Sequence, residues 1–146
     1  MLDLKNPTTQ RAAMEAFFFG YQAFTAKADE MLARRGLSRV HQRIVFFIAH
    51  HPGLSVKELL TLLGVSKQAL NTPLRQLIEM NLVRSVAPET DKRKRLLELT
   101  MDGVRFEKNL RSEQVRLLQR VFGQAGEEAV NGWLAINQAL GQSRLS

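Results

Sequence analysis

The first part of the chain carries apolar residues at the spacing of one helical face. Intervals of four, three, four and three residues separate Phe17, Tyr21, Phe24, Ala28 and Met31. This spacing predicts one long α-helix that begins near Pro7, after a cap at Asn6 or Thr8. It runs to about Arg35, and Gly36 ends it. Because so broad an apolar surface at a chain end would be exposed in a small monomer, we expect a partner to cover it.

Three shorter amphipathic segments follow, each preceded by a serine that can cap a helix. The predicted helices are Arg39–His50 after Ser38, Val56–Leu63 after Ser55, and Lys67 to about Met80 after Ser66. Glu58 stands at the third position of its helix, as in a capping box. Gly64 makes the tight turn between the last two helices.

A pair of short strands comes next. Leu82–Val86 and Arg95–Leu99 flank a polar turn, which predicts a β-hairpin. Helical periodicity returns after Thr100, with one helix that stops near Gly123 and another over about 126–140. Two short helices joined by a turn and followed by a hairpin are the elements of a winged helix-turn-helix. The predicted fold class is therefore mainly α with a small β-hairpin wing (α+β).

The positive charge is concentrated in the middle of the chain. The formal net charge is +7. Between Arg34 and Arg95 lie twelve Lys and Arg residues against four Asp and Glu. The part before holds three basic and four acidic residues, and the part after holds six of each. Localised positive charge beside neutral flanks is typical of a surface that binds a polyanion such as nucleic acid.

Several classes of protein and site are disfavoured by what the sequence lacks. Without cysteine there are no disulfides, thiolate metal sites or thiol sensors. No apolar run approaches the eighteen or so residues needed to span a bilayer, and no secretory signal is visible, so we expect a cytoplasmic protein without a membrane partner. His41, His50 and His51 lack the carboxylate spacing of a metal site, and no catalytic motif has a plausible context. We expect no metal, no cofactor and no enzymatic activity.

The fourth helix carries candidate base readers. A recognition helix presents its N-terminal half to base edges in the major groove, where Lys and Arg suit guanine and Gln and Asn suit adenine. The polar positions off its leucine face are Ser66, Lys67, Gln68, Asn71, Thr72 and Arg75. The alternative is the polar outer side that any amphipathic helix has. Pro73, inside this helix, removes one backbone hydrogen bond and predicts a kink.

The tip of the hairpin is the second candidate for DNA contact. Lys92, Arg93, Lys94 and Arg95 are consecutive cations that repel one another on a short turn. Phosphates, or the negative potential of a narrow minor groove, would relieve that repulsion. Asp91 stands where its carboxylate could form a bidentate pair with the Arg93 guanidinium and stabilise the wing. A solvated charged loop is the alternative.

Taken together, these residues resemble the MarR family of bacterial winged-helix regulators. The family's wing pattern is an Asp followed by basic residues and then L-x-x-L-T-x-x-G. It occurs here as Asp91-Lys92-Arg93-Lys94-Arg95-Leu96-Leu97-Glu98-Leu99-Thr100-Met101-Asp102-Gly103. The preceding LSVKELLTLLGVSKQALNTPLRQLIEMNLV resembles the family's helix-turn-helix, and the resemblance covers nearly the whole chain. Two departures are Pro73 and Asn81, which stands where a glycine often precedes Leu-Val.

The resemblance implies a homodimer that binds a pseudo-palindromic operator in double-stranded DNA, most simply as a repressor. Residues 1–36 and 101–146 would be dimerisation helices, and residues 37–100 the DNA-binding domain. Asp91 would hold Arg93 for insertion into the minor groove. The alternative is a winged-helix protein whose basic face binds a protein or RNA partner.

The resemblance also implies a small aromatic effector, bound between the dimerising and DNA-binding parts. Candidates to line such a pocket are Phe17, Phe18, Phe19, Tyr21, Phe24 and His41. The alternative is that these aromatic residues fill the core of the dimer.

Overall fold

The computed structural model describes residues 2–145. Within that range the chain forms six α-helices and one antiparallel hairpin. In chain order they are α1 (Pro7–Ala33), α2 (Arg39–His50), α3 (Val56–Leu63), α4 (Lys67–Glu79), β1 (Val83–Val86), β2 (Leu96–Leu99), α5 (Met101–Ala125) and α6 (Glu127–Ser143). The predicted fold class and the order of elements are confirmed. Over the same residues, no helix has both the length and the apolar character needed to cross a membrane.

Local capping explains where the helices begin. The Asn6 side chain accepts a hydrogen bond from the Thr8 backbone N–H at 2.8 Å, so Asn6 rather than Thr8 caps α1. Ser55 and Glu58 bond reciprocally, each side chain accepting the other's backbone N–H at 3.1 Å. This is the predicted capping box, and it satisfies two N–H groups that lack partners within α3.

The end of α1 differs from the predicted one, and the end of α4 explains the presence of Asn81. α1 stops at Ala33, so Arg34 and Arg35 follow the helix instead of occupying its last turn. At the end of α4, Asn81 takes the left-handed backbone conformation with φ of 60°. Asparagine tolerates this conformation better than other non-glycine residues, which explains how it can replace a glycine there.

The core lies where α2, α3, α4 and the hairpin meet the last third of α1 and the start of α5. Its fully buried side chains are Leu32, Ile44, Val45, Leu59, Leu70, Leu77, Leu82, Val83, Leu97 and Leu110. Ile78 of α4 is 38% exposed and lies outside this core. The core therefore holds the helix-turn-helix together and leaves much of α1 outside.

The hairpin is joined to the helix-turn-helix through its second strand. β1 and β2 pair in antiparallel register from Val83 opposite Leu99 to Val86 opposite Leu96. The backbone N–H of Leu97 donates to the Leu54 carbonyl at 2.8 Å, on the side of β2 away from β1. The wing therefore grows from a short stretch of backbone that immediately precedes α3.

The two C-terminal helices extend from the wing. Thr100 caps α5, and its hydroxyl donates to the Asn81 carbonyl at 2.6 Å. A Cβ at Gly103 would overlap the carbonyl oxygen of Leu82, so α5 approaches the residue just before β1 as closely as glycine allows. α5 continues through Gly123, where the sequence predicted its end, and stops at Ala125 before Gly126 with φ of 93°.

Candidate nucleic-acid interface

The body of α4 is fixed by its leucines, and its opposite side is open. The Ser66 hydroxyl accepts the Ala69 backbone N–H at 3.1 Å and so caps the helix. Leu70, Leu74 and Leu77 are buried. All six polar positions predicted as base readers are exposed: Ser66, Lys67, Gln68, Asn71, Thr72 and Arg75. The structure therefore brings these side chains to one accessible helix.

Pro73 is accommodated inside a helix that keeps its full length. α4 is helical without a break from Lys67 to Glu79, so the residues on both sides of Pro73 share one helix. The bond that proline removes would have reached the carbonyl of Ala69. Because Ala69 is exposed, water can serve that carbonyl.

The tip of the wing concentrates unpaired cations. Lys92, Arg93, Lys94 and Arg95 are all exposed, and none forms an ion pair within residues 2–145. Lower on the hairpin, Arg84 pairs with Glu98 directly opposite it, at 2.8 Å. The positive charge of the wing is thus confined to its tip.

The predicted guanidinium pair between Asp91 and Arg93 is wrong. The Asp91 carboxylate instead accepts the backbone N–H of Arg93 at 3.0 Å. The backbone N–H of Lys94 also donates to the Asp91 carbonyl, at 3.2 Å. An Asp that bonds the backbone two residues ahead forms an Asx-turn, which shapes the loop directly. The Arg93 guanidinium is left without a partner among the described residues.

Charged groups also lie at the junctions with α3 and α1. The pKa of Glu58 is lowered, first by its hydrogen bond from the Ser55 backbone and then by the Ser55 side chain, with a smaller effect of the Lys94 charge. The pKa of Arg39 is raised, mainly by its hydrogen bonds to Asp29.

Sequence reasoning missed the link between α2 and α4. His41 is buried, and its Nε2 lies 2.7 Å from the Gln76 Oε1. Its Nδ1 accepts the Ser38 backbone N–H at 3.0 Å. With both ring nitrogens engaged, His41 has no free ring nitrogen to offer a ligand in this arrangement, and its place in an effector pocket stays a prediction. The two partners of this bond are 35 positions apart, and no local pattern signals such a pairing.

The expected effector-lining aromatics of α1 divide into two groups. Phe17, Phe18 and Phe19 are more than half exposed. Tyr21 lies at the junction with α2, where the Arg43 guanidinium donates to its hydroxyl at 2.8 Å. Phe24 is half-buried, and the centroid of its ring lies 6.5 Å from that of Tyr21.

Within residues 2–145, no group of three or more His, Asp or Glu side chains is placed to hold a metal ion.

Known proteins match this chain in sequence and in fold. The MarR family model matches residues 35–94. The HTH-type transcriptional regulator PetP of Rhodobacter capsulatus is 40% identical over 130 residues, which make up 89% of this chain and 78% of PetP.

Two solved structures share the fold. The S. aureus MepR–DNA complex has a TM-score of 0.72 at 19% identity, over 89% of this chain and 96% of MepR. The PcaV transcriptional regulator from Streptomyces coelicolor, in complex with its natural ligand, has a TM-score of 0.69 at 14% identity, over 99% and 98% of the two chains. The chain belongs to the MarR family of winged helix-turn-helix transcriptional regulators.

Proposed function

We propose that this regulator binds double-stranded DNA sequence-specifically, with α4 in the major groove and the wing in the adjacent minor groove. The observation that carries this proposal is the wing tip, where four exposed cations lack an acidic partner in the described part of the chain. Base contacts come from the exposed positions of α4, and Arg93 enters the minor groove. Asp91 shapes the turn from which Arg93 projects.

The DNA-binding form in this proposal is a homodimer. Phe17, Phe18 and Phe19 expose large apolar side chains on α1, and α6, all of whose residues are described, buries none in the protomer. Such a surface is stabilised when a second copy covers it. Residues 1–36 and 101–146 form the dimer, and residues 37–100 of each copy bind DNA. A two-fold dimer then suits a pseudo-palindromic operator with half-sites about one helical turn apart, roughly 10 bp.

The biological role in this proposal is repression in the cytoplasm, relieved by a small aromatic effector. The junction of α1 and α2 supplies suitable chemistry for such a ligand. The Arg39 guanidinium lies 5.4 Å from the centroid of the Tyr21 ring, and Arg43 bonds its hydroxyl. Since the Arg39 charge is already paired with Asp29, the aromatic surface beside the Arg43 guanidinium is what favours an aromatic anion. The partner subunit would close this junction from the side of α1.

The proposal is tested by selecting bound fragments from the source genome and measuring their affinity against salt. If each wing places Lys92, Lys94 and Arg95 on phosphates while Arg93 enters the minor groove, about six phosphate contacts form, and log K should fall with log salt with a slope near −5. A slope near zero would contradict DNA binding. Single-stranded RNA that competes as well as the selected duplex would favour the RNA-binding alternative. A sedimenting monomer on the DNA would contradict the dimer.

A further inference from the structure

We propose that Gln76, held by the buried ring of His41, sets the rotation of α4 about its axis and so acts as a positioning residue for base reading. This inference rests on the proposed DNA binding and concerns the sequence specificity of that same surface. It assigns to Gln76 and His41 a role that depends on no contact between either side chain and DNA.

The hydrogen bond between these residues has a defined direction. His41 is 6% exposed. Because its Nδ1 accepts the Ser38 backbone N–H, the ring proton must reside on Nε2. That N–H therefore donates to the Gln76 Oε1, at 2.7 Å. The hydrogen bond from the Ser38 N–H thus fixes the tautomer of His41, and the tautomer fixes which atom of Gln76 faces the ring.

This bond is the directional part of the attachment of α4. Its apolar attachment comes from Leu70, Leu74 and Leu77, and apolar burial is non-directional. Among residues 2–145, the bond from Gln76 to His41 is the one side-chain hydrogen bond or ion pair that joins α4 to another helix or strand. Loss of this bond therefore leaves the rotation of α4 to packing alone.

A small rotation of α4 is large on the scale of base recognition. Side-chain tips stand about 5–6 Å from a helix axis, so a turn of about 10° moves them by roughly 1 Å. Hydrogen bonds tolerate a few tenths of an ångström around their preferred distance. Phosphate contacts by flexible cations on the wing do not depend on this rotation.

The part of α2 that holds Gln76 is itself bonded to another helix. In the same stretch of α2, the Arg39 guanidinium bonds Asp29 of α1 at 2.9 Å. His41 therefore belongs to a turn that is also tied to the long helix α1. Through it, Gln76 orients α4 relative to the elements assigned to the dimer.

Two substitutions remove the link in different ways. Gln76→Ala deletes the acceptor at an exposed position, where little else is lost. His41→Asn keeps an acceptor at the position of Nδ1 for the Ser38 N–H but does not reach Gln76. His41→Gln is the conservative variant, because a Gln at this position of a capping box accepts the backbone N–H and still offers an N–H to Gln76. Gln42→Ala is the matched control, since it removes a bond of similar length from the same turn without touching α4.

The measurement compares two duplexes of about three helical turns, one recovered from the genome by selection and one with its bases scrambled. We expect Gln76→Ala and His41→Asn to weaken binding to the selected duplex about tenfold, the size of one good base contact. Binding to the scrambled duplex and the salt slope should stay unchanged. His41→Gln should recover most of the loss, and Gln42→Ala should match the unsubstituted chain.

Each other outcome overturns the inference. If Gln76→Ala leaves the ratio of the two affinities unchanged, Gln76 does not position α4. If the variants weaken both duplexes equally and lower the melting temperature in parallel, the bond serves stability alone. If the unsubstituted chain does not distinguish the duplexes, the proposed function itself fails, and that result is recognisable before any variant is compared.

Discussion

The Asp91 carboxylate accepts the backbone N–H of Arg93 at 3.0 Å, so it shapes the wing turn without neutralising the arginine. A salt bridge between the same two side chains would have lowered the charge presented at the tip. The backbone bond instead separates two tasks, because Asp91 orders the loop while the guanidinium stays available.

Asp91→Ala and Asp91→Asn raise the net charge equally and differ in the turn bond. Charge alone favours both variants on DNA, but only Asn keeps an oxygen that can accept the Arg93 N–H. We expect Asp91→Ala to bind the selected duplex several-fold more weakly than Asp91→Asn, in line with about 1 kcal/mol for one hydrogen bond. Fluorescence anisotropy measures both. Equal affinities would mean that the Asx-turn does not matter for binding.

Arg93→Ala should weaken binding to the selected duplex by about 1–3 kcal/mol and leave the oligomeric state unchanged. The physical reason is the loss of an exposed guanidinium assigned to the minor groove. Arg120→Ala is the control, because it removes the same charge from an exposed position on α5. If both substitutions have the same effect in a gel shift, Arg93 acts only through net charge.

Gly103→Ala should destabilise the fold by about 1–3 kcal/mol, the usual cost of overpacking. The new Cβ would overlap the Leu82 carbonyl oxygen and lie 2.9 Å from its carbon, and backbone atoms cannot move aside cheaply. Gly123→Ala is the control, since nothing lies within 4 Å of its Cβ position inside the same helix. It should stabilise by about 0.5–1 kcal/mol. Urea unfolding of both variants measures the difference, and a stable Gly103→Ala protein would contradict the close approach.

Phe18→Glu combined with Phe19→Glu should convert the dimer to a monomer. Both phenylalanines are more than 60% exposed in the protomer, so the substitution leaves the protomer core intact and puts charges into the proposed interface. Thr61→Glu introduces a charge at an exposed position of α3, outside the dimerising segments, and should leave the dimer intact. Sedimentation equilibrium reports the mass. A dimer that survives the double substitution would place the interface elsewhere.

The capping box of α3 should make stability depend on acid pH through Glu58. Its pKa is lowered from 4.5, so its ionised form stabilises the fold above that pH. That contribution is lost as the pH falls through the lower pKa of the folded state. Glu58→Gln keeps the cap but not the charge, so thermal melts should show a smaller change between neutral and acid pH. Glu89→Gln, which removes a wing carboxylate that forms no ion pair in residues 2–145, should leave the change intact.

Helix starts and the wing could be predicted from the sequence because their causes are local. Ser55 and Glu58 are three residues apart, and their bonds form as soon as α3 does. The basic tip of the wing is visible as consecutive cations. The six polar positions of α4 follow from helical periodicity, and the structure leaves all of them exposed. Their contacts with DNA stay a prediction.

The features that the sequence did not disclose depend on contacts between distant segments. His41 and Gln76 meet because α2 and α4 pack across the core, and either residue alone reads as an ordinary polar position. The sequence predicts the end of α5 too early, because glycine often marks the end of a helix. The helix continues through Gly123 to Ala125, and nothing lies within 4 Å of a Cβ built at Gly123. For the wing, the sequence correctly pairs Asp91 with Arg93, but the Asp91 carboxylate binds the backbone N–H of Arg93 and not its guanidinium.

Because Gly103 approaches Leu82 so closely, α5 must tilt together with the base of the wing. Its 25 residues span about 37 Å at 1.5 Å per residue. The Thr100 N–H donates to the Leu82 carbonyl at 3.1 Å, so the N-terminal end of α5 is held against the base of the wing. A tilt of α5 by about 5° at this contact moves its C-terminal end, next to α6, by roughly 3 Å. In the proposed dimer, the distance between the two wings therefore depends on how α5 and α6 of the two copies pack.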